Sequence, residues 1–486
     1  MKRPNILIFM TDHQRGDTSL REHPAITPHL DALAAAGLTF TDLSCPSPHC
    51  CPARATFHTG LYPSRHGVWN NVCNDQALRR GPYDDVRLWS EDLAESGYEM
   101  AFTGKWHVSS RKRPADHGWR ERSISGTKPR EHGCDWEHYQ RVSERGPTGE
   151  RGEGQILRPG YGTYTLYGQR DADPAGHDER TVAEGVEELA RLSGGAEPWC
   201  LFVGLIGPHD PYFVPPEYLD LYRLDDVPAP AAFEDAFADK PRVYRRIRDH
   251  GFGQLSPREV REGVRHFWAY CSYLDALFGR VLDALDATGQ ADDTLVLYAS
   301  DHGDYCGEHG LFAKGIPCFR GAYHVPGIVR WPAGLARPGR RVEELTSLAD
   351  FGPTFLELAG VEPKRTFTGR SLVPFLTGRT PDDWRDEIHT QCNGVELYYT
   401  QRSVRTKTHK YVFNGFDEDE LYDLACDPDE MVNVSADPAY QAIQRDLVRR
   451  MWRFARREND SAINSYITVS LAPWGPAEAF EGDEAK

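Results

Sequence analysis

The segment Ser47-Pro48-His49-Cys50-Cys51-Pro52-Ala53-Arg54-Ala55-Thr56 has the residue types of a nucleophile held at the start of a helix. Pro52 suits a first helical turn, so Cys50 falls where free N–H groups and the macrodipole favour an anion, and Arg54 adds a cation one turn along. A buried structural cysteine is the plain alternative. Asp12-His13 directly follows an apolar run, and Asp301-His302-Gly303-Asp304 directly follows the run Thr294-Leu295-Val296-Leu297-Tyr298-Ala299-Ser300. In open α/β sheets functional groups gather beyond the carboxyl ends of strands, so the two pairs together read as ligands of a divalent metal. Carboxylate oxygen suits a hard cation there and imidazole widens the choice. Taken singly, either pair is equally a helix cap or a surface turn.

Two further runs end in the same way, at Gly104-Lys105-Trp106-His107 and at Pro208-His209-Asp210-Pro211, and Gly307-Glu308-His309-Gly310-Leu311-Phe312-Ala313-Lys314 brings a second lysine. A lysine that a sheet would bury needs an anionic partner, because an unpaired buried ammonium is costly. A thiol, an arginine, two lysines, several histidines and a metal site together suit attack on a tetrahedral anion: a sulfate, phosphate or phosphonate ester.

These residues need a frame. Residues 4–11 read as a buried strand, and Thr27-Pro28 opens a helix, with Thr27 as its N-cap, that stops at Gly37. Strands follow at 38–43, 98–103, 199–206 and 294–300, with helices at 88–96 and 256–288 between them. This alternation predicts an α/β fold with a large, mainly parallel sheet flanked by helices. Residues 1–375 are expected to form that catalytic unit. Residues 376–486 are expected to form a smaller C-terminal α+β subdomain, with an antiparallel sheet around 398–413 and a helix near 436–457. The aperiodic stretch 109–180 reads as surface loops over the site. Its Trp119, His132, Trp136, His138, Tyr161 and Tyr164 are as suited to core packing or plain exposure as to stacking on a sugar.

Composition narrows the classes. The chain has 486 residues, 40% hydrophobic and 27% charged, with a formal charge of −17, which argues against nucleic acid or an anionic membrane as a partner. No apolar run reaches the ~18–20 residues of a membrane span. Eleven cysteines, an odd number at irregular spacing, fit a reducing compartment, and the short apolar run at the N-terminus ends too early in charge for a signal peptide, so a cytoplasmic location is expected.

The motif set resembles the formylglycine-dependent sulfatases of the alkaline-phosphatase superfamily. The resemblance runs from Pro4-Asn5-Ile6-Leu7 through Cys50-x-Pro52-x-Arg54 and Gly104-Lys105-Trp106-His107 to Glu420-Leu421-Tyr422-Asp423-Leu424 and Asp427-Pro428-Asp429-Glu430. It implies that a separate formylglycine-generating enzyme oxidises Cys50, and that the hydrated aldehyde attacks sulfur, displaces an alcohol and then expels sulfate. It further implies that Asp12, His13, Asp301 and His302 join the Cys50-derived group at a divalent metal. Calcium is the usual family metal, and His13 and His302 leave magnesium, manganese or zinc open. By the same resemblance Arg54 holds the diol, Lys105 and Lys314 neutralise the sulfate oxygens, His107 is the base, and His209 protonates the leaving alcohol with Lys314 assisting. His13 stands where many members carry a second Asp or a Gln, and Ile316–Gly321 lack an acidic pair expected downstream. Asn71, some twenty residues after Cys50, is a candidate substrate contact. The implied reaction is hydrolysis of a sulfate monoester on a carbohydrate. The alternatives are a phosphonate monoester or phosphodiester hydrolase with the same nucleophile, and a non-catalytic protein that binds sulfated glycans.

Overall fold

The chain's structure is a computed structural model that describes residues 3–127, 140, 151–158, 161–171, 173, 176–230, 232–395, 397–464, 466 and 474–480. His132, Trp136 and His138 therefore lie outside the described residues. Eight strands form the central sheet: β1 (Asn5–Asp12), β2 (Leu38–Phe40), β3 (Glu99–Lys105), β4 (Arg120–Ser125), β5 (Trp199–Pro208), β6 (Thr294–Ser300), β7 (Gly327–Arg330) and β8 (Arg340–Val342). Their spatial order is β8-β2-β7-β6-β1-β5-β3-β4. All neighbours are parallel except the two pairings made by β7.

Both faces of the sheet are covered, which is why its strands read as continuous apolar runs rather than alternating ones. The pleat still sorts the side chains. Ile6, Ile8, Met10, Phe102, Phe202 and Leu297 enter one core, while Leu7, Phe9, Ala101, Val203 and Tyr298 enter the other. The first core is closed by α2 (Cys50–Thr59) and α3 (Trp89–Glu95). The second is closed by α1 (Pro28–Ala36), α4 (His177–Ser193) and α5 (Pro257–Ala287). At the start of α5, Ser256 Oγ accepts from the Glu259 N–H and the Glu259 carboxylate accepts from the Ser256 N–H, a capping box that fixes where this 31-residue helix begins.

Three expectations are corrected. Thr27 makes no side-chain cap. The first turn of α1 is instead capped from α5, where Asp275 accepts from the His29 and Leu30 N–H groups at 3.1 and 2.8 Å. Part of 109–180 is not loop, because β4 extends the sheet and Gln155–Arg158 pairs with Gly162–Thr165 as a hairpin. The C-terminal sheet is wider than 398–413, with four antiparallel strands: β9 (Ile388–Cys392), β10 (Gln401–Arg405), β11 (His409–Asn414) and β12 (Glu420–Asp423). One face of it packs on α6 (Gln441–Arg457) through Val404, Tyr411, Leu447 and Met451. On the other, Cys392, Tyr399, Val412 and Tyr422 continue the first core of the α/β unit. Gln391 N donates to Pro46 O at 2.8 Å, so β9 closes over the turn that precedes α2. Among the described residues no helix is long and apolar enough to cross a membrane.

Candidate active site

Four parallel strands end along one edge of the sheet. Asp12 closes β1, Lys105 closes β3, His209 follows Pro208 at the end of β5, and Asp301 follows Ser300 at the end of β6. Register brings them together, since Thr11 pairs with Ser300 and Asp12 with Pro208. Helix α2 approaches this edge with His49 as its N-cap and Cys50 as its first residue, and all ten of its residues are buried.

Arg54 is the hub of the buried charges. Its Nε donates to Asp301 Oδ2 at 2.7 Å, one terminal nitrogen donates to Asp12 Oδ2 at 3.2 Å, and the other donates to Lys105 O at 2.8 Å. The Lys105 ammonium donates to the same Asp12 oxygen. Cys50 Sγ, the atom that a formylglycine oxygen would replace, lies 3.2 Å from His302 Nε2 and 3.7 Å from Asp12 Oδ1. His302 Nδ1 faces Gly303 O at 3.0 Å, so that nitrogen carries the hydrogen and Nε2 presents its lone pair to the site. Ligand atoms from Asp12, Cys50, Asp301 and His302 all lie within 4.8 Å of one another. Two buried carboxylates and one oriented imidazole fit a divalent cation, and the donor chemistry is oxygen-rich with a single nitrogen.

The electrostatics favour an anion at position 50. Burial opposes a thiolate there, but the ammonium groups of Lys105 and Lys314 lead the opposing charges that hold the Cys50 thiol well below its ordinary range. Burial and the Cys50 thiolate push Asp12 up, yet Lys105, His209 and Arg54 bring its carboxyl well below the usual value. Asp301 goes the other way, raised by burial and by Asp12 against the pull of Arg54. Burial and Lys105 lower His107, and the neighbouring Cys50 and Asp12 charges offset only part of this. Burial and Lys314 lower His209, but the negative charges of Asp210, Cys50 and Asp12 outweigh them, for a net increase. Lys314 Nζ lies 2.8 Å from His209 Nε2.

The remaining residues singled out from sequence are placed differently. His13 is outside that group of four but belongs to a second one, in which ligand atoms of Asp12, His13 and His209 also lie within 4.8 Å of one another. Its Nδ1 lies 3.3 Å from Asp210 Oδ1 and its Nε2 3.2 Å from Asp304 Oδ2, and its ring packs edge-on against His302 and His209. Asn71 sits beside the nucleophile, where its Oδ1 accepts from the Cys51 N–H at 3.3 Å, so the hydrogen bond it makes is a cap on α2. Trp119 is core, 3% exposed and packed on Trp89 and Phe102. Tyr161 is exposed. Tyr164 reaches the site and donates to Asp210 Oδ2 at 2.5 Å. Sequence reasoning passed over Asp210 and Asp304, although each stands within two residues of a histidine it had marked. Burial pushes the Asp304 carboxyl up to about 7, and Tyr212 donates to it at 2.6 Å.

The sulfatase family model matches residues 4–361, and a second model, of the C-terminal region of N-sulphoglucosamine sulphohydrolase, matches residues 307–457. This chain belongs to the sulfatase family. Its relatives include the choline-sulfatase of Rhizobium meliloti, 31% identical over 90% of this chain and 83% of that one. The N-acetylglucosamine-6-O-sulfatase of Bacteroides thetaiotaomicron is 25% identical over 96% of this chain and 89% of that one. Among solved structures, the phosphonate monoester hydrolase of Agrobacterium radiobacter superposes with a TM-score of 0.76 at 26% identity, covering 94% of this chain and 96% of that one. The sulfatase is thus a sulfuric ester hydrolase of the alkaline-phosphatase superfamily, and its α/β sheet with a C-terminal antiparallel sheet is the fold of that family.

Proposed function

We propose that this sulfatase hydrolyses a sulfate monoester on a carbohydrate, using a formylglycine made from Cys50 by a separate maturation enzyme. The observation that carries the proposal is the convergence of Cys50, at the first turn of α2, with Asp12, Asp301 and His302 inside one buried cluster. A divalent cation held by these residues, calcium by family resemblance, would supply positive charge for the nucleophile and for a sulfate oxygen. Arg54 fixes both carboxylates so that the cluster cannot relax apart. Lys105 and Lys314 neutralise the charge that the transferring sulfuryl group carries, which costs no reorganisation because both ammonium groups are already in place. His107 takes a proton from the hydrated side chain at position 50. The His209–Lys314 pair delivers a proton to the alcohol oxygen as the sulfur–oxygen bond breaks. A cytoplasmic location belongs to the same proposal. The carbohydrate assignment is supported by the relative named for N-acetylglucosamine-6-O-sulfate.

The structural likeness to a phosphonate monoester hydrolase favours a second reading, in which the same nucleophile attacks phosphorus. Co-production with a formylglycine-generating enzyme, followed by mass measurement of the Cys50 peptide, tests the nucleophile. Conversion lowers the mass by about 18 Da and gives an aldehyde that a hydrazide traps. Matured protein is then assayed on paired aryl sulfate and aryl phosphonate esters. Faster turnover of the phosphonate would overturn the sulfate assignment, and an untouched thiol under conditions that mature a control sulfatase would overturn the nucleophile.

A further inference from the structure

We propose that Asp210 is a positioning residue for His209, holding the imidazole in the one tautomer that can pass a proton to the departing alcohol. The inference rests on the leaving-group role given to His209 above. His209 Nδ1 faces two acceptors and no donor: Asp210 O at 2.8 Å and Asp210 Oδ1 at 3.2 Å. That nitrogen therefore carries a hydrogen, and in the neutral ring Nε2 must hold the lone pair. Nε2 lies 2.8 Å from Lys314 Nζ, a group that only donates. One proton is consequently shared along the Nε2···Nζ axis.

Asp210 is itself held from another segment, where Tyr164 donates to its Oδ2 at 2.5 Å, and His13 Nδ1 approaches its Oδ1 to 3.3 Å without hydrogen-bond geometry. A ring tied only by the Asp210 backbone carbonyl would be free to tilt or to exchange its nitrogens. The two-point contact removes that freedom. In the step itself an oxygen of the hydrated side chain at position 50 bonds to sulfur as the ester sulfur–oxygen bond breaks, the electron pair of the broken bond goes to the alcohol oxygen, and the shared proton of the His209–Lys314 pair moves to that oxygen. The Nδ1 hydrogen stays on the ring, Asp210 stays ionised, and solvent water restores the proton through the 28% of the His209 side chain that is exposed.

A role exercised through His209 must grow as the leaving group becomes more basic, whereas a merely structural role would slow every ester alike. The test uses matured, metal-loaded protein and aryl sulfates graded from 4-nitrophenyl to phenyl. Positioned proton transfer contributes about 10²–10⁴-fold, so His209→Ala is expected to slow phenyl sulfate about a hundredfold or more. Asp210→Asn is expected to slow it about tenfold, Tyr164→Phe about threefold, and each should leave 4-nitrophenyl sulfate within about twofold. In the His209→Ala background, Asp210→Asn should add nothing on phenyl sulfate. An equal loss across the series for Asp210→Asn, or no loss on phenyl sulfate, overturns the proposal. If His209→Ala is itself flat across the series, the leaving-group reading beneath it is what fails. Bound metal and melting temperature are measured for each variant. Should Asp210→Asn lose either, Tyr164→Phe and Asp210→Glu decide by the same criterion.

Discussion

The two sides of the proposed active site are built on different terms. On the nucleophile side Asp12, Arg54, Asp301 and His302 have fully buried side chains, and each is tied by charge-assisted or backbone hydrogen bonds. On the leaving-group side His209 and Asp210 have side chains 28% and 15% exposed, and they are ordered by a tyrosine and a lysine that reach in from other segments. Desolvated charges gain most from being fixed before the reaction, so the invariant sulfuryl end is enclosed by the sheet edge and α2. The end that would admit an alcohol is the more exposed one and is ordered by side chains from other segments. Damage on the first side should therefore abolish turnover for every ester, while damage on the second should be graded by the ester used.

The largest effect expected is from Cys50→Ala, which removes the nucleophile and should lower turnover of matured preparations by about 10⁴-fold or more on every ester, read by sulfate release. Arg54→Met comes next, because it strands two buried carboxylates. It should cost about 3–5 kcal/mol of folding stability, measured by denaturant unfolding, and a melting curve like that of the parent would show that Asp12 and Asp301 do not rely on it. Lys105→Ala should lower kcat on aryl sulfates by about a hundredfold whatever the leaving group, and a loss confined to phenyl sulfate would place Lys105 on the wrong side of the comparison.

The smallest effect lies outside both sides, at the seam where Arg405 of β10 makes a bidentate pair with Asp42 at 2.6 and 2.9 Å. Burial pushes Asp42 up, but Arg405 outweighs it and holds the carboxyl at about 2 against an ordinary 3.8. The folded state thus binds this proton less tightly than the unfolded chain does. Its contribution, about 2 kcal/mol, is complete above pH 4 and is lost as pH falls from about 4 to 2. Arg405→Met should lower stability at pH 7 and flatten its dependence on acid in that window. Unchanged acid sensitivity would mean that the seam carries none of it.

What the sequence disclosed follows from the same physics. Asp12, Lys105, His209 and Asp301 were legible because each ends a buried apolar run, and a parallel sheet gathers such ends on one edge. Cys50 was legible because Pro52 marks a helix start. Strand β4, Arg-Glu-Arg-Ser-Ile-Ser, was not, since it lies at an edge and carries the charges that edges favour. The cap on α1 from Asp275 and the cap on α2 from Asn71 were also hidden, because each donor and acceptor come from different elements and only the folded chain sets their directions. His13 has more neighbours than its place beside Asp12 discloses: its ligand atom groups with those of Asp12 and His209, and its nitrogens also lie 3.3 and 3.2 Å from Asp210 and Asp304, which follow two other strands.

The closure of β9 over the turn before α2 has a consequence for timing. Cys50 is 1% exposed, Gln391 bonds Pro46, and Cys392 Sγ lies 3.6 Å from His49 Nδ1, so no second protein can grasp this segment once the sheet has docked. On the proposed function, oxidation of the thiol would therefore precede docking. Cys392 leaves the ribosome about 340 residues after Cys50, and at roughly 5–20 residues per second that delay is on the order of half a minute. Late synthesis of the covering strand would leave the proposed maturation enzyme an interval in which its target is still an accessible, extended peptide.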